Sequence, residues 1–220
     1  MESNLNHEQS LSLINEMIQR AKNNFREGSM SPMIFWGYLT AALAIVNYVL
    51  LQVLDCPQTS YRIWWLMLPA WIVSFFVQRR RERKALIKTH LDRIIHSVWL
   101  GYVISVALFL AVIFATAFML KDSRLLLLIT PVILLMVGMG EFVTAYTCRS
   151  RWWRWIAVMF WVSAMLCLIP PDWILSGDNR VANMYQGHQL LIMAVCMIAG
   201  FVVPGHVENR KAKKSHVQGA

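Results

Sequence analysis

The sequence predicts an all-α membrane protein: a polytopic bundle of six transmembrane helices, preceded by an amphipathic cytoplasmic helix. Three observations lead to this prediction. The apolar residues occur in long runs, charged residues are few, and the basic residues lie mostly on alternate sides of those runs. Of the 220 residues, 57% are hydrophobic and 15% are charged, and the mean hydropathy is +0.47. Because a soluble domain carries about 25% charged residues, this chain has too little polar surface for a soluble fold.

The first element is residues 1–30, and its sequence predicts a separate cytoplasmic helix over about residues 7–27. Asn6 with Gln9 is typical of a helix start, and Gly28 is typical of a helix end. Apolar residues between them recur at spacings of three and four and form one stripe along the helix. This N-terminal stripe consists of Leu11, Ile14, Ile18, Ala21 and Phe25. Since the opposite side is not strongly basic, we expect the stripe to bind protein, within the chain or between chains, rather than lipid alone.

The second element, residues 31–204, contains six apolar runs. A transmembrane helix requires about 20 mostly apolar residues. The second run is the weakest, because it is short and contains Pro69, so five spans is the main alternative. The predicted spans cover about residues 33–54, 63–77, 94–120, 125–146, 152–169 and 184–203. We expect the last helix to end at Pro204-Gly205 and a basic cytoplasmic tail to follow over residues 205–220.

The basic residues predict which side of the membrane each connection faces. Lys and Arg number 3 before the first span, 7 between the second and third, 3 around the connection of the fourth and fifth, and 4 after the sixth. The alternate connections carry 1, 2 and 1, so the totals are 17 and 4. Basic residues concentrate on the cytoplasmic side. Both termini are therefore predicted to be cytoplasmic, which agrees with an even number of spans.

This distribution also limits the possible functions. The net charge of +9 is divided among short connections, so the chain lacks the single basic surface of a nucleic-acid-binding protein. It contains no HExxH, GxSxG or glycine-rich phosphate-binding motif. Asp92 and His96 are the one histidine–acid pair at helical spacing. This pair alone is an incomplete catalytic site. We therefore predict no enzyme activity, no bound metal and no cofactor.

One acid interrupts an apolar run. Glu141, in the segment LLMVGMGEFVTAY, is the only carboxylate within the six predicted spans. At 1.5 Å per residue it lies about 9 Å from the cytoplasmic end of the fourth span. It shares a helix face with the small residues Gly138, Thr144, Ala145 and Cys148, which permit close helix approach. We expect this acid to face protein and to be either protonated or paired; the candidate partners at similar depth are His96, Tyr102, Tyr38 and Arg154.

These features leave two classes of function open. The first is a non-enzymatic protein that acts by protein contact, as a sensor, regulator or assembly partner, through its N-terminal helix. The second is a small transporter or channel in which Glu141 and the polar outer end of the sixth span line the path. That outer end contains Asn183, Gln186, His188 and Gln189.

Three segments are arranged in a recognisable order along the chain. They are the amphipathic segment SLINEMIQRAKNNF, the aromatic-glycine start of the first span FWGYL, and the end of the last span with its proline-glycine pair and basic tail, FVVPGHVENRKAKK. In this layout the chain resembles a group of small uncharacterised bacterial six-span inner-membrane proteins with an amphipathic N-terminal helix. The resemblance implies a location in the bacterial inner (plasma) membrane. It carries no catalytic residues and implies no particular activity.

Overall fold

The computed structural model describes Ser12 and residues 32–54, 57–82, 90–121, 123–169 and 179–218. Over these residues the chain is helical and contains no β-strand, which confirms the predicted all-α class. The N-terminal stripe lies outside the described residues, so the helix predicted over residues 7–27 stays a prediction.

Helices and short helical turns follow one another along the described residues. Their bounds are α1 Pro32–Val53, α2 Pro57–Ser60, a 3-10 turn Tyr61–Leu66, α3 Met67–Glu82, α4 His90–Leu120, a 3-10 turn Ser123–Leu128, α5 Ile129–Thr147, α6 Arg151–Leu168, α7 Asn179–Met197, a π-helical turn Ile198–Val202 and α8 Val203–Gln218.

Four helical stretches among the described residues are long and apolar enough to cross a membrane. They are Pro32–Val53, Arg93–Leu120, Leu125–Thr147 and Tyr185–Arg210, and they coincide with the predicted first, third, fourth and sixth spans. The predicted second span falls in the shorter apolar helix Tyr61–Val77. The predicted fifth span corresponds to α6, whose first turn contains two arginines. The four apolar helices are compatible with a protein embedded in a membrane, and the number six stays a prediction.

The core lies between α1, α5, α6 and the α7–π segment. Its buried side chains come from all of these elements, and they are mainly small or apolar: Ala41, Ala44, Leu51, Leu134, Val137, Ile156, Phe160, Ala164, Cys167, Leu190, Met193, Ala194, Cys196, Met197 and Phe201. By contrast, most large apolar side chains of α3 and α4 are exposed, including Phe118 at 86%. Exposed apolar surface of this extent suits helices at the periphery of a bundle, in contact with lipid.

A tight turn makes α5 and α6 an antiparallel pair. Arg149 has a φ of 51°, in the left-handed region that ends many helices. The Ser150 N–H donates to the Ala145 carbonyl at 3.0 Å, and the Arg149 N–H donates to the Tyr146 carbonyl at 3.1 Å. These two bonds form a Schellman motif, which satisfies carbonyls that the end of α5 leaves without partners. The chain therefore reverses within three residues, and α6 lies along α5.

Glycine residues bring the core helices into close contact. A Cβ placed on Gly37 of α1 would lie 2.8 Å from the Cβ of Phe201 and 2.9 Å from Cγ2 of Val202. A Cβ on Gly200 would overlap the ring of Phe160. In contrast, no described atom from another helix lies within 4 Å of the Cβ position of Gly101. The two similar segments WGYLT and WLGYVIS therefore have different surroundings, and only in the first does the glycine form a helix contact.

The prediction that the last helix ends at Pro204-Gly205 is wrong, because α8 continues from Val203 to Gln218. In a regular α-helix a proline lacks the N–H donor, and its ring collides with the carbonyl four residues earlier. Here the preceding turn is π-helical, and the Val203 N–H donates to the Ile198 carbonyl five residues back. Pro204 then lies in the first turn of α8, where proline is tolerated. The basic tail is therefore helical as far as Gln218.

The glycine contacts lead to a matched pair of substitutions. Gly37→Ala should lower the thermal stability of the purified protein, because the new methyl group would push α1 away from the π turn, at a cost of about 1–3 kcal/mol. Gly101→Ala should leave stability unchanged or raise it, because its Cβ enters open space and alanine favours helix more than glycine does. Thermal unfolding in one detergent measures both. Equal shifts for the two variants would contradict the assigned contact of α1 with the π turn.

Candidate functional site

Glu141 lies on the face of α5 that is turned towards the core. The buried residues of α5 recur every three or four positions, as Leu134, Val137 or Gly138, Glu141, and then Thr144 or Ala145. This spacing follows one side of an α-helix. Glu141 itself has 0% of its surface exposed. The helical period of the apolar and small residues thus places the acid in the interior.

Small residues beside the acid admit large aromatic side chains from neighbouring helices. One turn before it, Gly138 lies against the indole of Trp161 on α6, and a Cβ there would come within 3.2 Å of the Ala157 carbonyl oxygen. Next to the acid, the Cβ position of Gly140 is 3.6 Å from the ring of Trp99 on α4. One turn after it, Ala145 is fully buried against Trp153. The segment that contains the acid is therefore enclosed by three tryptophans and by neighbouring backbone.

No described residue forms a hydrogen bond to the carboxyl group of Glu141. Both of its oxygens are buried, and neither has a partner among the residues that the structure describes. The nearest hydroxyl along the helix, that of Thr144, donates to the Gly140 carbonyl at 2.8 Å. Removing an ionised carboxylate from water without a partner is much more costly than burying the neutral acid. This packing therefore accommodates the protonated form of the side chain.

Two of the candidate partners form other contacts. The Tyr38 hydroxyl is 3.1 Å from Nε2 of His206 on α8, so this pair joins α1 to α8. The guanidinium of Arg154 lies 5.7 Å from the ring centroid of Tyr146, a cation–π contact across the α5–α6 turn. Both side chains are exposed, whereas Glu141 is in the core.

The other two candidates are on α4. His96 is exposed, and Tyr102 is half-buried. The ring of Tyr102 packs edge-on against Trp99, with 5.5 Å between the centroids. The structure thus places an aromatic pair from α4 beside α5, but neither candidate from α4 forms a hydrogen bond with Glu141.

At the opposite end of the bundle, Asn47 forms a complete hydrogen-bond set. With its amide oriented to match its neighbours, the nitrogen donates to Ser60 Oγ at 2.8 Å, and the oxygen accepts from the Trp64 indole N–H at 2.8 Å. Asn47 has 0% of its surface exposed. These hydrogen bonds therefore connect α1 with α2, which contains Ser60, and with the 3-10 turn Tyr61–Leu66, which contains Trp64. The sequence shows Asn47 as an isolated polar residue, and no local pattern indicates that it pairs with Ser60 and Trp64.

Side chains of α7 also satisfy the end of α6. The Cys167 carbonyl lies in the last turn of α6, where helix carbonyls lack an intrahelical donor. The Tyr185 hydroxyl donates to it, and Gln189 Nε2 donates to it at 3.1 Å. The sequence predicts Gln189 at the polar outer end, but its motifs do not indicate Tyr185. The signal that would have found Tyr185 is its position four residues before Gln189, on the same helix face.

The remaining residues of the predicted polar outer end have different environments. Gln186 is half-buried, His188 is exposed and Gln189 is buried, while the side chain of Asn183 lies outside the described residues. His188 and Gln189 line one cavity, which Gln186 does not line. Gln189 also joins α6 and α7 through the Cys167 carbonyl.

A cavity of about 220 Å³ lies beside this junction. Its lining is mainly apolar and comes from α6 and α7: Leu166, Cys167, Ile169, Tyr185, His188, Gln189 and Ile192. The side-chain oxygen of Gln189 is buried and receives no hydrogen bond from the described part of the chain.

No protein-family model matches this chain, and no curated protein or solved structure matches it either. Within the described residues, no group of three or more His, Cys, Asp or Glu side chains is arranged to hold a metal ion. Function must therefore be inferred from the packing and polarity of the bundle.

The unpaired acid and the paired amide predict opposite effects of apolar replacement. Glu141→Met should raise the unfolding temperature, because it removes a buried polar group that lacks a partner, which costs about 1–3 kcal/mol. Asn47→Leu should lower it, because the Trp64 indole N–H would lose its acceptor. Thermal unfolding in detergent compares these two residues, both with 0% exposure. If Glu141→Met is as destabilising as Asn47→Leu, Glu141 has a hydrogen-bonding partner.

Proposed function

We propose that this chain is a six-span protein of the bacterial inner membrane, with both termini in the cytoplasm. In this proposal it is not an enzyme and acts by protein contact through the N-terminal stripe. The observation that carries the proposal is the closely packed interior, where glycine contacts join α1, α5, α6 and the π turn. A packed interior suits a protein that presents a surface to partners.

The lengths of two helices support six spans. α6 has 18 residues, or about 27 Å at 1.5 Å per residue, close to the hydrocarbon thickness of about 30 Å. The helix Tyr61–Val77 begins with six residues in 3-10 conformation, which rise about 2.0 Å each, so it reaches about 28 Å. Each is thus about as long as the apolar layer is thick.

The positions of the helix ends support cytoplasmic termini. Met33, near the start of α1, packs with Ala145 and Trp153 at the α5–α6 turn. The contact of Tyr38 with His206 brings α8 to the same end. Because this end also carries the exposed Arg149, Arg151 and Arg154, it has the basic character of a cytoplasmic face.

Removal of the N-terminal helix tests the proposed function. Deletion of residues 1–28 should leave membrane insertion intact, because the spans lie after it, but should abolish self-association or partner association. In-membrane crosslinking followed by size-exclusion chromatography measures the association. Crosslinking that is unchanged by the deletion would contradict the proposal.

A charge-matched pair of variants separates the stripe from the rest of that helix. Ile14→Asp with Ile18→Asp places two negative charges on the N-terminal stripe and should reproduce the loss of association. Gln19→Glu with Asn23→Asp adds the same charge on the opposite side of the predicted helix and should have no effect. Similar losses in both double variants would assign the effect to charge rather than to the stripe.

A small transporter or channel is the second candidate. The observation that favours it is a fully buried acid, Glu141, whose oxygens have no hydrogen-bond partner among the described residues. Buried acids of this kind carry protons in membrane transporters. In this alternative, the path would include Glu141 and the polar outer end of the sixth span.

Proton flux into liposomes decides between the two candidates. If the chain conducts protons, liposomes that contain a pH-sensitive dye should acidify faster with the protein than without it, under an imposed membrane potential. Glu141→Gln should then abolish the difference. Glu208→Gln should preserve it, because that second buried glutamate lies on α8. Wild-type liposomes that acidify no faster than empty ones would exclude proton conduction.

A further inference from the structure

The turn between α5 and α6 carries three arginines next to an apolar surface. Arg149, Arg151 and Arg154 are all exposed, and residues 142–169 around them contain no acid. α5 belongs to the helix Leu125–Thr147, which is long and apolar enough to cross a membrane. In a membrane that this helix crosses, the turn after it lies at the surface. The three positive charges are then at the depth of the lipid headgroups.

An aromatic contact holds Arg154 against α5. Its guanidinium carbon is 5.7 Å from the ring centroid of Tyr146, which is within the range of a cation–π interaction. The ring centroid of Tyr146 lies 4.9 Å from that of Phe142, and Phe142 lies 5.3 Å from Trp161 on α6. A guanidinium that stacks on a ring keeps its N–H donors in its own plane. Arg154 is therefore held in position and can still donate to an oxyanion.

Below the arginines, two apolar stripes continue along the helices. Members of each stripe recur every three, four or seven residues, as on one face of a helix, and they are 39–63% exposed. They are Tyr146, Met139 and Leu135 on α5, and Val158, Val162 and Met165 on α6. At 1.5 Å per residue, the α5 stripe is about 16 Å long, which is about half of an apolar layer of about 30 Å. This surface, the α5–α6 lipid face, thus has the length of one leaflet.

Charge complementarity determines which headgroup suits the α5–α6 lipid face. Arginine binds phosphate oxygens with two parallel N–H donors. Arg151 lies three residues before Arg154, on the same side of α6, so both can reach one phosphate. A zwitterionic headgroup would add a positive group beside these arginines, whereas an anionic headgroup adds none. The basic end therefore favours an anionic lipid over a zwitterionic one.

We propose that the α5–α6 lipid face is a binding site for an anionic phospholipid. The lipid phosphate pairs with Arg151 and Arg154, and the acyl chains lie along the two apolar stripes. The proposal depends on the membrane position of α5 and not on the N-terminal stripe. It can therefore fail while the proposed function holds, and the reverse is also possible.

Photolabelling of the full-length protein in nanodiscs tests the site. Two probes carry the same diazirine in the same acyl chain and differ only in the headgroup, which is phosphatidylglycerol in one and phosphatidylcholine in the other. Each is a trace component of phosphatidylcholine nanodiscs. We expect the phosphatidylglycerol probe to label Met139, Val158 or Val162 at least about tenfold more than the other probe does, since each basic side chain contributes about fivefold. Unlabelled phosphatidylglycerol should compete, and inorganic phosphate should not.

Substitutions of single arginines assign the preference to the site. Arg154→Gln should lower it about fivefold, and Arg154→Lys should lower it less, because lysine keeps the charge. The matched control is Arg79→Gln on α3, which also removes a guanidinium that lies over a ring, 5.8 Å from the centroid of Phe75, and it should leave the preference unchanged. Arg151→Gln repeats the test if Arg154→Gln fails to fold.

Several results would overturn the proposal. Equal labelling by the two probes, or adducts spread evenly over the exposed side chains of α3 and α4, would exclude a selective site. Equal losses in Arg154→Gln and Arg79→Gln would indicate a general attraction of basic residues for anionic lipid. Competition by inorganic phosphate as effective as that by phosphatidylglycerol would assign the arginines to free phosphate. Labelling that appears only after deletion of residues 1–28 would show that the N-terminal segment covers the arginines in the full-length protein.

Discussion

Close contact between helices through glycine is the constraint on which the rest of this bundle depends. In a bilayer, lipid chains are as apolar as leucine, so helices are held by packing and hydrogen bonds rather than by exclusion from water. Here the contacts form a series across the core. Gly138 of α5 meets α6, Phe160 of α6 meets Gly200 of the π turn, and that turn meets Gly37 of α1. Each contact fixes the position of the next helix, and together they determine which side chains face the interior.

The two polar regions of the bundle differ in how fully they are satisfied. At the end that carries the α6–α7 connection, Asn47 and the Cys167 carbonyl each have two described hydrogen-bonding side chains. Near the other end, Glu141 has none among the described residues. Hydrogen bonds of the first kind hold helices together in a membrane, whereas an unpaired acid adds no such bond. The buried carboxyl group of Glu141 therefore adds no hydrogen bond that would stabilise the described part of the bundle.

The apolar runs predict the all-α class, because a long apolar run has one stable structure in a bilayer. The structure confirms this class, and four of the six predicted spans coincide with helices long and apolar enough to cross a membrane. The sequence does not predict that the helix continues past Pro204. Proline usually ends a helix, and no sequence pattern indicates the π turn that precedes Pro204 here. The sequence does not distinguish Gly37 from Gly101, because each glycine follows a tryptophan at the start of an apolar run. The difference between them is the contact of Gly37 with Phe201, which is distant in sequence. The burial of Glu141 follows from the period of the small and apolar residues along α5. Its lack of a hydrogen bond depends on side chains of other helices, which no spacing rule brings together.

The π turn allows α7 and α8 to form one continuous helix from Asn179 to Gln218. At 1.5 Å per residue this helix is about 60 Å long, roughly twice the thickness of the apolar layer. One end lies at the cavity, and the other carries the basic residues of α8. Pro204 therefore lies within a helical segment that is longer than an apolar layer is thick, and the segment connects the residues beside the cavity with the basic residues of α8.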